Sequence, residues 1–277
     1  MRRRAVLLAA LLGVAACLPL HAQRVSTAQP NVQVLAERLA MPGLARVRTL
    51  RLYLPPSYAT SPERRYPVIY MHDAQNLFDD ATSYGGEWGV DETLNELART
   101  RGFEAIVVGI DEGGDKRIQE MLPWPNPPRF PLAEGEAYIG FIVDVVKPFV
   151  DSRYRTRPQA AATAIAGSSL GALISQVALH RRPDVFGRGA LFSPAYWIAP
   201  QIDALARERP LPATTRVYLY AGDQEVDEML PLVERMHGLL AQGRAAVTLH
   251  VAAGAKHNEA AWRAEFGPAL VWLFELH

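Results

Sequence analysis

Short, nearly unbroken apolar runs alternate along this chain with longer stretches in which apolar residues return every three or four positions. Tyr66–Met71, Ala105–Ile110, Thr163–Ala166, Gly189–Phe192, Arg216–Ala221 and Val247–Val251 are of the first kind and predict buried strands. Val90–Leu97, Leu170–Arg181 and Leu232–Leu240 are of the second kind. So is Ala137–Val150, where Tyr138, Phe141, Ile142, Val145 and Val146 fall on one face and Pro148 predicts a kink. Asn258–Leu276 predicts a last helix, broken before Pro268. Ahead of all these, Val32–Leu39 and Val47–Leu54 alternate apolar and polar residues around a turn at Met41-Pro42-Gly43. They predict an antiparallel entry hairpin that Pro55-Pro56 ends.

Strands alternating with helices predict an α/β fold: a mostly parallel, doubly wound sheet with its sites at the carboxyl ends of the strands. No interval is long enough for a separate cap domain. The longest irregular stretch, Glu112–Leu132, is Pro-rich, carries Trp124, and is expected to form one wall of a site.

Composition narrows the function classes. The chain has 277 residues, 49% of them hydrophobic, enough to bury one large core. Its 29 basic and 29 acidic side chains give no electrostatic footprint for nucleic acid. Arg2-Arg3-Arg4 followed by the apolar run Ala5–Leu20 reads as an export signal, too short and too terminal to span a membrane in the mature protein. Two processing readings stand: cleavage after Ala22, or a lipobox Val14-Ala15-Ala16-Cys17 in which residues 1–16 are removed and Cys17 carries a lipid anchor. The expected organisation is a signal at 1–22, a flexible leader at 23–31 and one catalytic domain at 32–277, in a periplasmic or secreted protein. Cys17 is the single cysteine, so no intramolecular disulfide can form.

The chemistry concentrates at Gly167-Ser168-Ser169-Leu170-Gly171, placed between a predicted strand and a predicted helix. A nucleophile on such a strand–turn–helix elbow needs small residues two positions before and after it. Ser169 meets this with Gly167 and Gly171, whereas Ser168 would be flanked by Ala166 and Leu170. A serine hydroxyl also needs a base and a group that orients the base. His180 and His237 fall on predicted helices, His250 lies within a strand, His277 ends the chain, and His72 precedes the elbow. That leaves His257, on the loop after the last strand. The acid is expected in Gly222–Asp227, as Glu225 or, closer to the strand end, Asp223. Oxyanion donors are expected at the backbone N–H of Leu170 and of Gln75. Asn76, Trp88, Trp124 and Trp197 are candidates for contacting substrate. Arg117 and Glu120 either bind polar groups of the substrate or, the preferred reading, pair with each other to hold the Pro-rich loop. No zinc-type spacing, phosphate loop or dinucleotide fingerprint occurs, so no metal or cofactor is called for.

Tyr70-Met71-His72-Asp73-Ala74-Gln75-Asn76-Leu77-Phe78-Asp79 resembles the oxyanion loop of the putative esterase family of α/β-hydrolases. That family includes enterochelin-type esterases, S-formylglutathione hydrolase, feruloyl esterase domains and mycolyltransferases. Leu52–Pro56, Val107–Ile110, Arg117 with Glu120, Ser193–Trp197 and Gly254–Trp262 are similar to it as well, so the resemblance runs from about Arg48 to the C-terminus. It implies an α/β-hydrolase fold, a triad of Ser169, Glu225 and His257, a small-molecule ester as substrate, and no cofactor. Acyl transfer by the same triad, and a non-catalytic binding protein on the same fold, are the alternatives. Ala74 stands where many relatives have Gly.

Overall fold

The computed structural model describes residues 24–276. The export signal and Cys17 lie outside the described residues. In chain order the elements are β1 (Val32–Val34), β2 (Leu39–Met41), β3 (Arg46–Arg48), β4 (Leu50–Tyr53), β5 (Val68–Met71), α1 (Val90–Arg101) and β6 (Ile106–Ile110). Then come α2 (Arg117–Met121), α3 (Gly135–Phe141), α4 (Lys147–Arg153), β7 (Thr163–Ser168), α5 (Leu170–Arg181) and β8 (Arg188–Phe192). The chain closes with α6 (Ile202–Glu208), β9 (Arg216–Gly222), α7 (Met229–Leu240), β10 (Ala246–Ala252) and α8 (Glu259–Leu273).

Eight strands form one sheet in the order β1-β4-β6-β5-β7-β8-β9-β10. The β1/β4 and β4/β6 pairs are antiparallel and all others parallel, as in a doubly wound sheet with an antiparallel entry. The expected hairpin is divided between two sheets. β1 pairs with β4 in the main sheet, while β2 and β3, which carry the turn, form a small sheet of their own.

The central strands are buried on both faces, which is why their sequences read as continuous apolar runs. Alternate residues serve opposite layers. Val68, Tyr70, Ile165, Leu191 and Leu219 face the core under α3 and α5 to α7. Ile69, Met71, Ala166, Phe192 and Tyr220 face the core under α1 and α8. Helix α5 is buried from Leu170 to His180, so its side chains are apolar nearly all round.

Three local expectations change. Helix α8 runs unbroken through Pro268. Pro268 is exposed, as is Ala264 one turn earlier, so the carbonyl that loses its N–H partner is on the solvent side. Between α3 and α4 the helix widens into a π-turn at Ile142–Val146, just ahead of Pro148. The leader is tied down: Ser26 Oγ donates to Asp79 Oδ2 at 2.7 Å, and Gln29 N to Asp91 Oδ2 at 2.8 Å.

Strands β5 and β7 are neighbours, and the chain order departs from them in both directions, which makes their carboxyl ends the switch point of the sheet. The elbow there is close-packed. A Cβ on Gly167 would lie 2.9 Å from both the Gly171 carbonyl carbon and His72 Cδ2. We therefore expect Gly167→Ala to destabilise the protein by about 1–3 kcal/mol, as overpacking of a tight site does. Urea unfolding of the variant beside the native protein measures it, and a change within a few tenths of a kcal/mol would contradict this packing.

Candidate active site

Ser169 joins β7 to α5 with φ 56° and ψ −118°, a conformation costly for a residue with a side chain. Backbone bonds hold it there from both sides. Its N–H donates to Phe192 O at 2.9 Å, and its carbonyl accepts from Leu173 N and Ala195 N, each at 3.1 Å. Leu170 follows as the first residue of α5, where helical N–H groups have no partner within the helix.

The loop after β5 is fixed from below and from the side. His72 is buried, with Nδ1 2.8 Å from Tyr138 Oη and Nε2 3.0 Å from Ser175 Oγ. Ser175 spends its one proton on Gly171 O at 2.7 Å. It must therefore accept from His72 Nε2–H, which leaves Nδ1 to accept from Tyr138. Burial pushes the imidazole down to about 4, the Asp73 charge opposing and Arg117 adding to the shift. His72 is thus a neutral clamp between β5, α3 and α5. Asp73, in the left-handed region at φ 55°, takes a bidentate pair from Arg117 at 2.7 and 2.8 Å. The expected Arg117–Glu120 pair does not form. Glu120 is buried and accepts from Arg48 Nη2 at 2.6 and 2.7 Å, because β3 brings that arginine across. Gln75 lies in this loop, its side-chain oxygen accepting from Glu112 N at 2.9 Å.

At the carboxyl ends of β9 and β10 the two candidate acids part. Glu225 Oε2 lies 2.7 Å from His257 Nδ1. Its other oxygen accepts from Ser193 Oγ at 2.6 Å and from Gly222 N at 2.7 Å. The Glu225 side chain is 1% exposed and that of His257 is 32%. Burial raises the Glu225 carboxyl, but the hydrogen bonds from His257, Ser193 and Gly222 outweigh it and hold the group below the usual glutamate range. Asp223 instead accepts from Gly254 N at 2.6 Å, steadying the loop that carries His257. Ser193, for which no individual role was expected, sits at φ 48° after β8. It also accepts from Trp262 Nε1 at 2.9 Å. The Trp262 ring stands edge-on to His257, centroids 4.9 Å apart.

Ser169 and His257 share a cleft of about 540 Å³ with Asp73, Asn76, Tyr84, Glu112, Arg117 and Glu259. On their other side a pocket of about 400 Å³ is lined by Trp197, Val226 and Met229. The serine and the imidazole do not hydrogen-bond to each other here, a common looseness before substrate engages. Asn76 donates to Glu259 Oε1 at 3.1 Å within the cleft. Trp88 and Trp124 do not line either space. Trp88 is 3% exposed and packs on Phe192, Trp262 and Phe266, and Trp124 packs against the opposite core. Among the described residues no helix is long and apolar enough to cross a membrane.

The family model described as Putative esterase matches residues 42–273. The chain is 26% identical over 242 residues to the uncharacterized protein YbbA of Bacillus subtilis, covering 82% of this chain and 92% of that one. Among solved structures it superposes on the BES protein of Bacillus cereus with a TM-score of 0.72 at 17% identity, over 88% and 95% of the two chains. It superposes on the enterobactin esterase FES of Shigella flexneri with a TM-score of 0.73 at 17% identity, over 90% of this chain and 60% of that one. The expected α/β-hydrolase fold is therefore the one observed.

The buried neutral His72 sets an acid limit on stability. The unfolded chain takes up a proton near the ordinary 6.5, the folded one only near 4. Stability is therefore unaffected by this group above pH 6.5 and is lost as pH falls from 6.5 toward 4. At pH 5 the loss amounts to about 2 kcal/mol. His72→Gln keeps one donor and one acceptor and should lack this term. Urea unfolding at pH 7 and pH 5 measures it, and an equal drop in both proteins would refute the assignment.

Proposed function

The chain belongs to the Putative esterase family and is a carboxylic ester hydrolase; from that premise we propose that Ser169, His257 and Glu225 form its triad. The observation that carries the reading is the 2.7 Å bond from His257 to the buried Glu225 carboxylate, on the same cleft as Ser169. His257 Nε2 takes the proton of Ser169 Oγ as that oxygen attacks the ester carbonyl. The Leu170 and Gln75 amides receive the developing oxyanion. His257 then passes the proton to the departing alcohol, and water, activated by the same imidazole, cleaves the acyl-enzyme and restores Ser169. Glu225 fixes the tautomer with Nδ1–H toward itself and stabilises the imidazolium. It stays ionised throughout, because three donors hold it in that form.

The two spaces beside the nucleophile divide the substrate. Trp197, Val226 and Met229 suit an apolar portion of the ester, and the hydrogen-bonding groups of the larger cleft suit a polar one. The basic and apolar N-terminal run supports export to the periplasm or medium, with or without a lipid on Cys17.

Nitrophenyl esters of graded chain length are the direct assay. Ser169→Ala is expected to lower kcat/KM by about 10³-fold or more. Glu225→Ala should lower kcat by about 10²–10⁴-fold, while Asp223→Asn, which touches only the loop backbone, should stay within about tenfold. Unchanged turnover by Ser169→Ala would refute the nucleophile, and a larger loss on changing Asp223 than Glu225 would reverse the choice of acid.

A further inference from the structure

Three carboxylates that the reaction does not use converge at the start of α1. Glu87, Asp91 and Glu92 each bring one oxygen within 4.8 Å of the other two. Asp91 is fully buried, and Glu87 is 7% exposed. The leader satisfies one oxygen of each. Thr27 Oγ1 donates to Glu87 Oε2 at 2.6 Å, Gln29 N to Asp91 Oδ2 at 2.8 Å, and Gln29 Nε2 to Glu92 Oε1 at 3.2 Å. Among the described residues, the second oxygen of each, Glu87 Oε1, Asp91 Oδ1 and Glu92 Oε2, is buried without a hydrogen-bond donor.

Three such oxygens in one place require a positive partner. Among the described residues, Arg263 is the nearest cation, with Nη2 4.0 Å from Glu87 Oε1 and 3.9 Å from Glu92 Oε2. Those distances are too long for hydrogen bonds, and the arginine side chain is half-exposed. One guanidinium also leaves the three carboxylates under-compensated, with Asp91 Oδ1 unserved. Three carboxylates suit calcium, which takes about six to eight oxygens in flexible geometry, better than magnesium, which keeps most of its water and usually takes one or two carboxylates.

We infer that Glu87, Asp91 and Glu92 form a binding site for a hard divalent cation of calcium size, with water completing its shell. The ion neutralises the carboxylates whose other oxygens hold Thr27 and Gln29, and so fastens the leader to α1. Glu87 precedes Trp88, which packs on Trp262, the residue that donates to Ser193. Cation binding therefore stiffens the layer behind His257 without entering the cleft. A proton is the competing partner: burial, with Glu92 beside it, raises the Asp91 carboxyl well above the usual aspartate range.

Calorimetric titration of the chelator-treated protein with calcium chloride, beside thermal unfolding in calcium, magnesium and EDTA, tests the site. About one ion per chain is expected, with millimolar calcium raising the unfolding temperature by a few degrees over EDTA and magnesium raising it less. Glu87→Gln and Glu92→Gln should each weaken calcium binding about tenfold or more. Glu92 is only partly buried, so its variant should fold even where an Asp91 variant does not. Arg263→Gln removes the competing cation and should tighten binding several-fold. Identical unfolding temperatures in calcium and EDTA with no heat of binding would overturn the site. So would calcium binding undiminished in both glutamine variants, or proton release on unfolding with no response to calcium.

Discussion

A buried carboxylate must be given donors or it gives up its charge, and Glu225 is where this molecule meets that requirement. The donors come from three places in the chain. Gly222 ends β9, Ser193 follows β8, and His257 follows β10. Each strand end is thereby tied to its neighbours through one side chain, and the loops that carry the site are held at the edge of a rigid sheet. A Cβ on Gly222 would lie 2.2 Å from Ala255 O, so the loops after β9 and β10 are also in direct backbone contact. The conformation of Ser193, strained at φ 48°, is the cost of aiming a hydroxyl at Glu225 while accepting from Trp262.

On the other side of Ser169 the holding principle is different. His72 carries no charge, and its value is geometric. One ring joins β5 to α3 through Tyr138 and to α5 through Ser175. That sets the height of the loop bearing Gln75 against the N-terminus of α5 bearing Leu170, the two amides proposed to meet the oxyanion. Asp73 and Arg117 then lock the outer half of the same loop. Ala74 is fully buried, with Gly109 opposite it on β6. A Cβ on Gly109 would come within 2.8 Å of the Ala74 Cβ. The methyl at 74 is accommodated because the neighbouring strand has none at 109.

Those residues whose chemistry demands a fixed place in the topology were legible from the chain. An elbow serine needs small residues two positions to either side, and a base on this topology is expected on the loop after the last strand, so the candidates Ser169 and His257 follow from local pattern. Glu225 and Asp223 are two residues apart on one turn, and reach alone does not separate them. What separates them is the backbone after Gly222, which turns one carboxylate back under the sheet and the other toward Gly254. The aromatic residues were less legible. A tryptophan in an irregular segment gives no periodicity to show which way it faces, and Trp88 proves to be core while Trp197 is 38% exposed beside the nucleophile. Arg117 and Glu120 lie close in the chain as opposite charges, but partners distant in sequence, Asp73 and Arg48, take them instead. Ser193 and Trp262 lie in segments that carry the family resemblance, but nothing local assigns either a role, because each acts by orienting another residue.

The same reasoning explains why the acidic cluster at Glu87, Asp91 and Glu92 escapes a motif search. Two of its members, Asp91 and Glu92, are consecutive in the first turn of α1 and the third, Glu87, precedes the helix, so the spacing matches an ordinary helix start, where acids are favoured by the dipole. A dipole preference, however, is a surface effect of a few tenths of a kcal/mol to about 1 kcal/mol, and it does not require burial. Asp91 is fully buried, and the leader engages only one oxygen of each acid. The cost of desolvating three neighbouring carboxylates exceeds what a dipole returns, so burial itself distinguishes a counter-ion site from a capped helix.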